Sequence, residues 1–163
     1  METKLNWTKG ILKETYEIYS NGVLVGTLKE NVWKQIAYGE LNGEKAIFKT
    51  TGFFHQETQI IDPDSNLNIG KITYNSWMTK ATIEYSGKVA NWKYDNAWNT
   101  RWSISDSEGV QIHYQGSSSK GTIELQIQDE LLVLSGLFVT NYYWQISIAL
   151  LVAVFIPIFT TIN

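Results

Sequence analysis

The chain has no cysteine, which removes disulfides, thiolate chemistry and cysteine-ligated zinc or iron–sulfur centres. Histidine is almost as scarce. His55 and His113 lie far apart with no metal-ligand spacing, so both read as exposed strand-face side chains and no metal site is expected. Strong charge of either sign is also missing. The formal net charge is −3 and the pI about 5.4, so no global positive field exists to collect nucleic acid. A local basic face stays open. Catalytic motifs are absent too: there is no G-x-S-x-G and no glycine-rich phosphate loop. Ser117 and Lys120 formally make S-x-x-K, but that motif needs a helix, and "QGSSSKGT" sits between two strand patterns. The opening "METKLNWTKGILKETYE" scatters charges and has no apolar run, unlike a secretory signal. With the lack of cysteine, this sets the expected location as cytoplasmic.

What is present points to β structure. The 163 residues suit one domain, with 44% hydrophobic and 18% charged residues. Seven Trp, nine Tyr and six Phe accompany only two prolines, and such aromatic enrichment favours strands. Turn signals recur: Asn21-Gly22, Asn42-Gly43, Asp62–Asn66, Ser86-Gly87, Asp106–Gly109, Ser117–Lys120 and the Gln128–Glu130 step. Between them the period is two. "KATIEY" alternates Ala81, Ile83 and Tyr85 with polar residues, and "VQIHY" and "TIELQIQ" do the same, as in sheets with one buried face. The runs predict about twelve strands, roughly within 12–19, 23–29, 33–41, 44–50, 54–61, 68–75, 79–86, 88–95, 100–105, 110–115, 121–127 and 131–139. No linker divides them.

From Ile146 to Ile162 the chain is almost wholly apolar. As a helix this run is roughly 25 Å long, slightly short for a bilayer core of about 30 Å. It has no flanking Lys or Arg, yet Tyr142, Tyr143 and Trp144 could form an interfacial belt. Barrel geometry favours burial. Side chains just fill a barrel of about eight strands, so about twelve need a plug, and a helix about 10 Å across supplies one. The expectation is a mainly β fold: a closed antiparallel barrel of about twelve strands (about 12–139) around a buried apolar C-terminal helix (about 142–160), with residues 1–163 as one domain. Pro157 is expected to break or kink the helix, limiting the packed part to about Tyr143–Ile156. The alternative is a β domain tail-anchored in a membrane by this segment.

The hairpin "IIDPDSNLNIGKI", the strands "RWSISDSEGVQIHY" and the ending "LFVTNYYWQISIALLVAVFI" resemble the tubby C-terminal superfamily, most closely its phospholipid-scramblase and LURP-one-related branch. The resemblance implies a barrel threaded by its own C-terminal helix and a non-enzymatic binding or scaffold role. It also implies phospholipid or phosphoinositide headgroups as partners, taken by a basic surface patch; a protein partner is the other possibility. The residues offered for such binding are Arg101, Trp98 and Trp102 in "WKYDNAWNTRWSI", with Lys71, Lys80 and Lys93. No cofactor is implied. Asp62, Asp64, Asn66 and Asn68 alternate as in a calcium loop, but Leu67 stands where an EF-hand needs Gly and Thr73 where it needs Glu. They read as a polar hairpin tip.

Overall fold

Asn21-Gly22, Asn42-Gly43 and Ser86-Gly87 all adopt positive φ at both positions, the backbone that two-residue hairpins need to match strand twist. Their strands close directly on them, with Ser20 opposite Val23, Leu41 opposite Glu44 and Tyr85 opposite Lys88. The computed structural model describes residues 3–10, 14–52 and 56–160, the last five by backbone alone. His55 lies outside the described residues.

Twelve antiparallel strands follow in order: β1 (Thr3–Lys9), β2 (Thr15–Ser20), β3 (Val23–Asn31), β4 (Ile36–Leu41), β5 (Glu44–Thr51), β6 (Glu57–Asp62), β7 (Leu67–Tyr74), β8 (Lys80–Tyr85), β9 (Lys88–Tyr94), β10 (Arg101–Asp106), β11 (Gln111–Gly116) and β12 (Lys120–Leu125). Each pairs with its neighbour in sequence, and β1 pairs with β12 to close the barrel. Closure leaves no sheet edge unpaired. The strands run alternately, so the β2–β3, β4–β5, β6–β7, β8–β9 and β10–β11 turns gather at one end, the hairpin end. The other six connections gather at the opposite end, the mouth.

Inside runs α1 (Glu130–Thr160). Asp129 starts it as N-cap: its side chain accepts from the Leu132 N–H (3.0 Å), and its carbonyl accepts from the Val133 N–H. The helix passes up the axis from the hairpin end to the mouth. Leu132, Leu134, Leu137 and Val139 are fully buried against inward strand residues such as Ile18, Leu28, Phe48, Ile83 and Ile104. Phe138 stacks on Phe48 (4.7 Å). Gly136 is required where it stands, because a Cβ there would lie 2.2 Å from the Tyr114 hydroxyl oxygen. That hydroxyl donates to the Leu132 and Val133 carbonyls.

The barrel and its helical plug match expectation, but the plug is a different stretch of chain. The strand expected over 131–139 is the buried first half of α1, and the twelfth strand is instead β1, whose Leu5 and Trp7 point inward. The expected central helix of about 142–160 begins twelve residues early, and the packed part is Leu131–Tyr143 rather than Tyr143–Ile156. The reason is the Asp129 cap, which starts the helix directly after β12 and spends the barrel's depth on the residues that follow. Pro157 does not end α1; it forgoes one N–H bond, to the Ala153 carbonyl, with only one further turn of helix beyond it.

Candidate functional site

The mouth is where the interior meets solvent, and polar groups collect there around α1. Asn141, itself buried, accepts from Lys9 Nζ (2.5 Å) and from the Tyr16 hydroxyl (2.9 Å). Lys9 also lies over the Tyr16 ring, 4.9 Å from its centroid. Gln145, one turn further, donates to Glu30. Burial pushes the Glu30 carboxyl above the usual carboxylate range; the Asn141 and Gln145 amides and the Lys9 charge oppose this. The Asn141 amide does so without meeting Glu30 at hydrogen-bonding geometry, and among the described residues Glu30 Oε1 and Asn141 Nδ2 have no hydrogen-bond partner. Burial likewise lowers Lys9, against the charges of Glu30 and Glu14.

Two clefts flank the helix as it leaves. One, about 260 Å³, is lined by Glu30, Thr50, Phe138, Tyr142 and Gln145. The other, about 550 Å³, runs between Tyr74, Asn75 and Met78 on the barrel and Tyr143, Ile146 and Leu150 on the helix. Tyr142 stacks on Tyr74 (4.2 Å), and the Tyr143 hydroxyl donates to the Lys80 carbonyl. These contacts hold α1 at the rim. Beyond them it is unsupported: Ile148, Leu150, Leu151, Val152, Val154 and Phe155 are all exposed. No charged residue occurs after Glu130, and α1 is long and apolar enough by composition to cross a membrane.

Three mouth connections share one construction. In β3–β4, Asn31 Oδ1 accepts from the Lys34 N–H (3.1 Å). In β7–β8, Asn75 Oδ1 accepts from the Thr79 and Lys80 N–H groups (both 2.9 Å). In β9–β10, Asn96 Oδ1 accepts from the Thr100 and Arg101 N–H groups (3.0 and 3.1 Å). Each Asn closes its loop as an Asx turn. Two residues on, each loop presents a tryptophan: Trp33, Trp77 and Trp98 are 95%, 83% and 85% exposed. A base then follows each one, Lys34, Lys80 or Arg101. The underlying pattern, N-x-W followed by Lys or Arg, was visible in "NVWK", "NSWMTK" and "NAWNTR"; only the topology shows that the three share one rim.

Of the residues singled out from the sequence, Trp98, Arg101 and Lys80 lie on this rim, and Lys93 stands directly opposite Lys80 in the β8–β9 register. Lys93 also reaches Asp95 (4.0 Å). Lys71 sits away from them on β7 and pairs with Glu84 (3.6 Å). Trp102 is not available to a ligand. It is fully buried, stacked on Tyr114 (5.5 Å) and edge-on to Trp144, because alternation along β10 turns it inward while Arg101 faces out. Asp62 caps its own turn, accepting from the Asp64 N–H and Ser65 hydroxyl, which lower its pKa. Among the described residues no three His, Asp or Glu side chains gather as metal ligands. His113 faces solvent from β11.

No family model matches this chain, and neither a curated protein nor a solved structure does.

Proposed function

We propose that this protein is a non-enzymatic binding or scaffold domain that works at a membrane surface, held there by the distal half of α1. The carrying observation is the exposed apolar stretch from Ile148 to Phe155, which runs on past the barrel rim. A helix apolar on all sides calls for an apolar surrounding, and exposed apolar area of this kind marks an interaction or membrane site. The same observation gives weight to the tail-anchored alternative over a wholly buried helix. From Ile146 to Thr160 the helix extends about 22 Å beyond the rim, deep enough to enter the hydrocarbon core of a bilayer.

The resemblance to the tubby-like, scramblase and LURP-one-related proteins supports the same reading. It adds phospholipid or phosphoinositide headgroups as the ligand class and a cytoplasmic barrel held at the membrane. Flotation tests it. The full chain should float with phosphatidylcholine vesicles, and a chain ending at Gln145 should stay in the soluble fraction. Equal recovery of both chains in the soluble fraction would overturn the proposal.

A further inference from the structure

The geometry points to the mouth rim as a docking surface for the headgroup layer of an anionic bilayer, with Trp33, Trp77 and Trp98 as its anchors. This rests on the membrane reading of the distal helix and adds how the barrel is oriented and which residues meet lipid. Three observations carry it. First, the three exposed tryptophans occupy three separate connections, all at the end from which the apolar helix emerges. Tryptophan is the side chain enriched where water meets hydrocarbon, because its ring is apolar and its N–H polar. Fully exposed tryptophans are otherwise costly for a protein in water, and here the same Asn-closed loop presents each of them.

Second, charge is divided along the barrel axis. The hairpin end carries Glu40, Glu44, Asp62, Asp64, Asp106 and Glu108, with Asp129 and Glu130 at the helix start and Lys45 and Lys88 among them. The mouth carries Lys9, Lys34, Lys80, Lys93, Arg101 and Lys120, with Glu14, Glu30, Glu57 and Asp95 among them. A net charge of −3 therefore hides an axial asymmetry, and the basic end is the one bearing the tryptophans. Bases beside an anionic leaflet are attracted within a Debye length. Third, the hairpin end also exposes apolar side chains, Val23, Leu24 and Leu67. These are aliphatic, sit among carboxylates and have no emerging helix beside them.

The absence of native cysteine makes the test direct. Single cysteines are placed in the full chain by Trp33→Cys, Trp77→Cys and Trp98→Cys at the rim, Ala153→Cys in the tail and Asp64→Cys at the hairpin end. Each is labelled with a polarity-sensitive dye and mixed with vesicles of phosphatidylcholine and phosphatidylserine in equal parts. The rim and tail labels should shift to the blue and the hairpin label should not. A tail label that shifts while the rim labels stay in water overturns the rim proposal and leaves the tail reading standing. No shift at any position overturns both. A second measurement does not depend on replacing the tryptophans. Lys34→Gln, Lys80→Gln and Arg101→Gln combined should weaken binding to the anionic vesicles about a hundredfold and leave binding to pure phosphatidylcholine unchanged. An unchanged affinity for the anionic vesicles would show that the rim does not face lipid.

Discussion

Ending the chain at Gln145 should leave the barrel folded, and the size of the effect can be worked out. Every side chain from Ser147 to Phe155 is exposed, and of those removed only Ile146 is half-buried. Half-burial of one isoleucine contributes about 1 kcal/mol, which moves the melting temperature of a domain this size by roughly 2–4 °C. Gln145 must be kept, since its amide donates to the buried Glu30. The proximal half of α1 stands in contrast. Leu131, Leu132, Val133, Leu134, Leu137, Phe138, Val139 and Tyr143 are all buried, at about 2 kcal/mol each. Their loss would exceed the whole stability of an ordinary domain, about 5–15 kcal/mol. Circular dichroism melts of the truncated chain, purified without detergent, check this. A cooperative transition within a few degrees of the full chain in mild detergent is expected. Aggregation, or a fall in melting temperature well beyond 4 °C, would show that the distal helix is packed and that the division of α1 argued above is wrong.

Other variants probe the plug itself. Gly136→Ala gains up to about 1 kcal/mol of helix propensity, but the new methyl meets the buried Tyr114 hydroxyl at 2.2 Å, an overpacking that costs about 1–3 kcal/mol. Net destabilisation by chemical denaturation is expected, partly recovered in Gly136→Ala/Tyr114→Phe. Leu134→Ala empties a fully buried site and should cost about 2–5 kcal/mol, read as a lower denaturation midpoint. Glu30 imposes a pH dependence. Because burial raises its folded pKa, the folded state holds this proton more tightly than the unfolded chain does. Its contribution is therefore fully present below the ordinary carboxylate range and is lost as pH rises through the raised value. Glu30→Gln removes that decline, so melts from acid to neutral pH should fall less steeply in the variant than in the parent chain.

Much of the architecture was legible because local signals agreed with it. Asn21-Gly22, Asn42-Gly43 and Ser86-Gly87 fixed three hairpins, and the alternation of Ala81, Ile83 and Tyr85 marked the inward face of β8. The need for a plug followed from strand count alone. Which residues form the plug did not, because Leu131–Val139 and Ile146–Phe155 are both apolar on every side, and neither period nor hydropathy separates them. The separating signal lay just upstream: Gln128-Asp129-Glu130 reads equally as a turn between strands, but Asp129 followed by Glu130 is also a helix start. β1 was overlooked although Leu5 and Trp7 alternate with polar residues, because these two are the only apolar residues among its seven. In the candidate site, Trp98, Arg101 and Lys80, singled out from the sequence, share the mouth rim. Trp102 was grouped with Trp98 by nearness in sequence, which ignores that alternate residues of a strand face opposite ways.

The two halves of α1 differ in a way that burial explains. The proximal half contains Gly136, Thr140 and Asn141, each small or hydrogen-bonding, and each set by a particular barrel neighbour or helix bond. Gly136 admits Tyr114, Thr140 donates back to the Gly136 carbonyl (2.8 Å), and Asn141 accepts hydrogen bonds from Lys9 and Tyr16. A helix inside a closed cylinder must fit each strand that faces it, so its residues are individually constrained. The distal half, Ile148 to Phe155, has only aliphatic residues, alanine and phenylalanine. Nothing there matches a shaped partner. A fluid hydrocarbon requires only that a surface be apolar, so uniform composition is what a lipid-facing helix needs. The change in character falls between Asn141 and Ile148, where Tyr142, Tyr143 and Trp144 meet the rim. The two clefts open there, and the three tryptophan loops lie at the same end of the barrel.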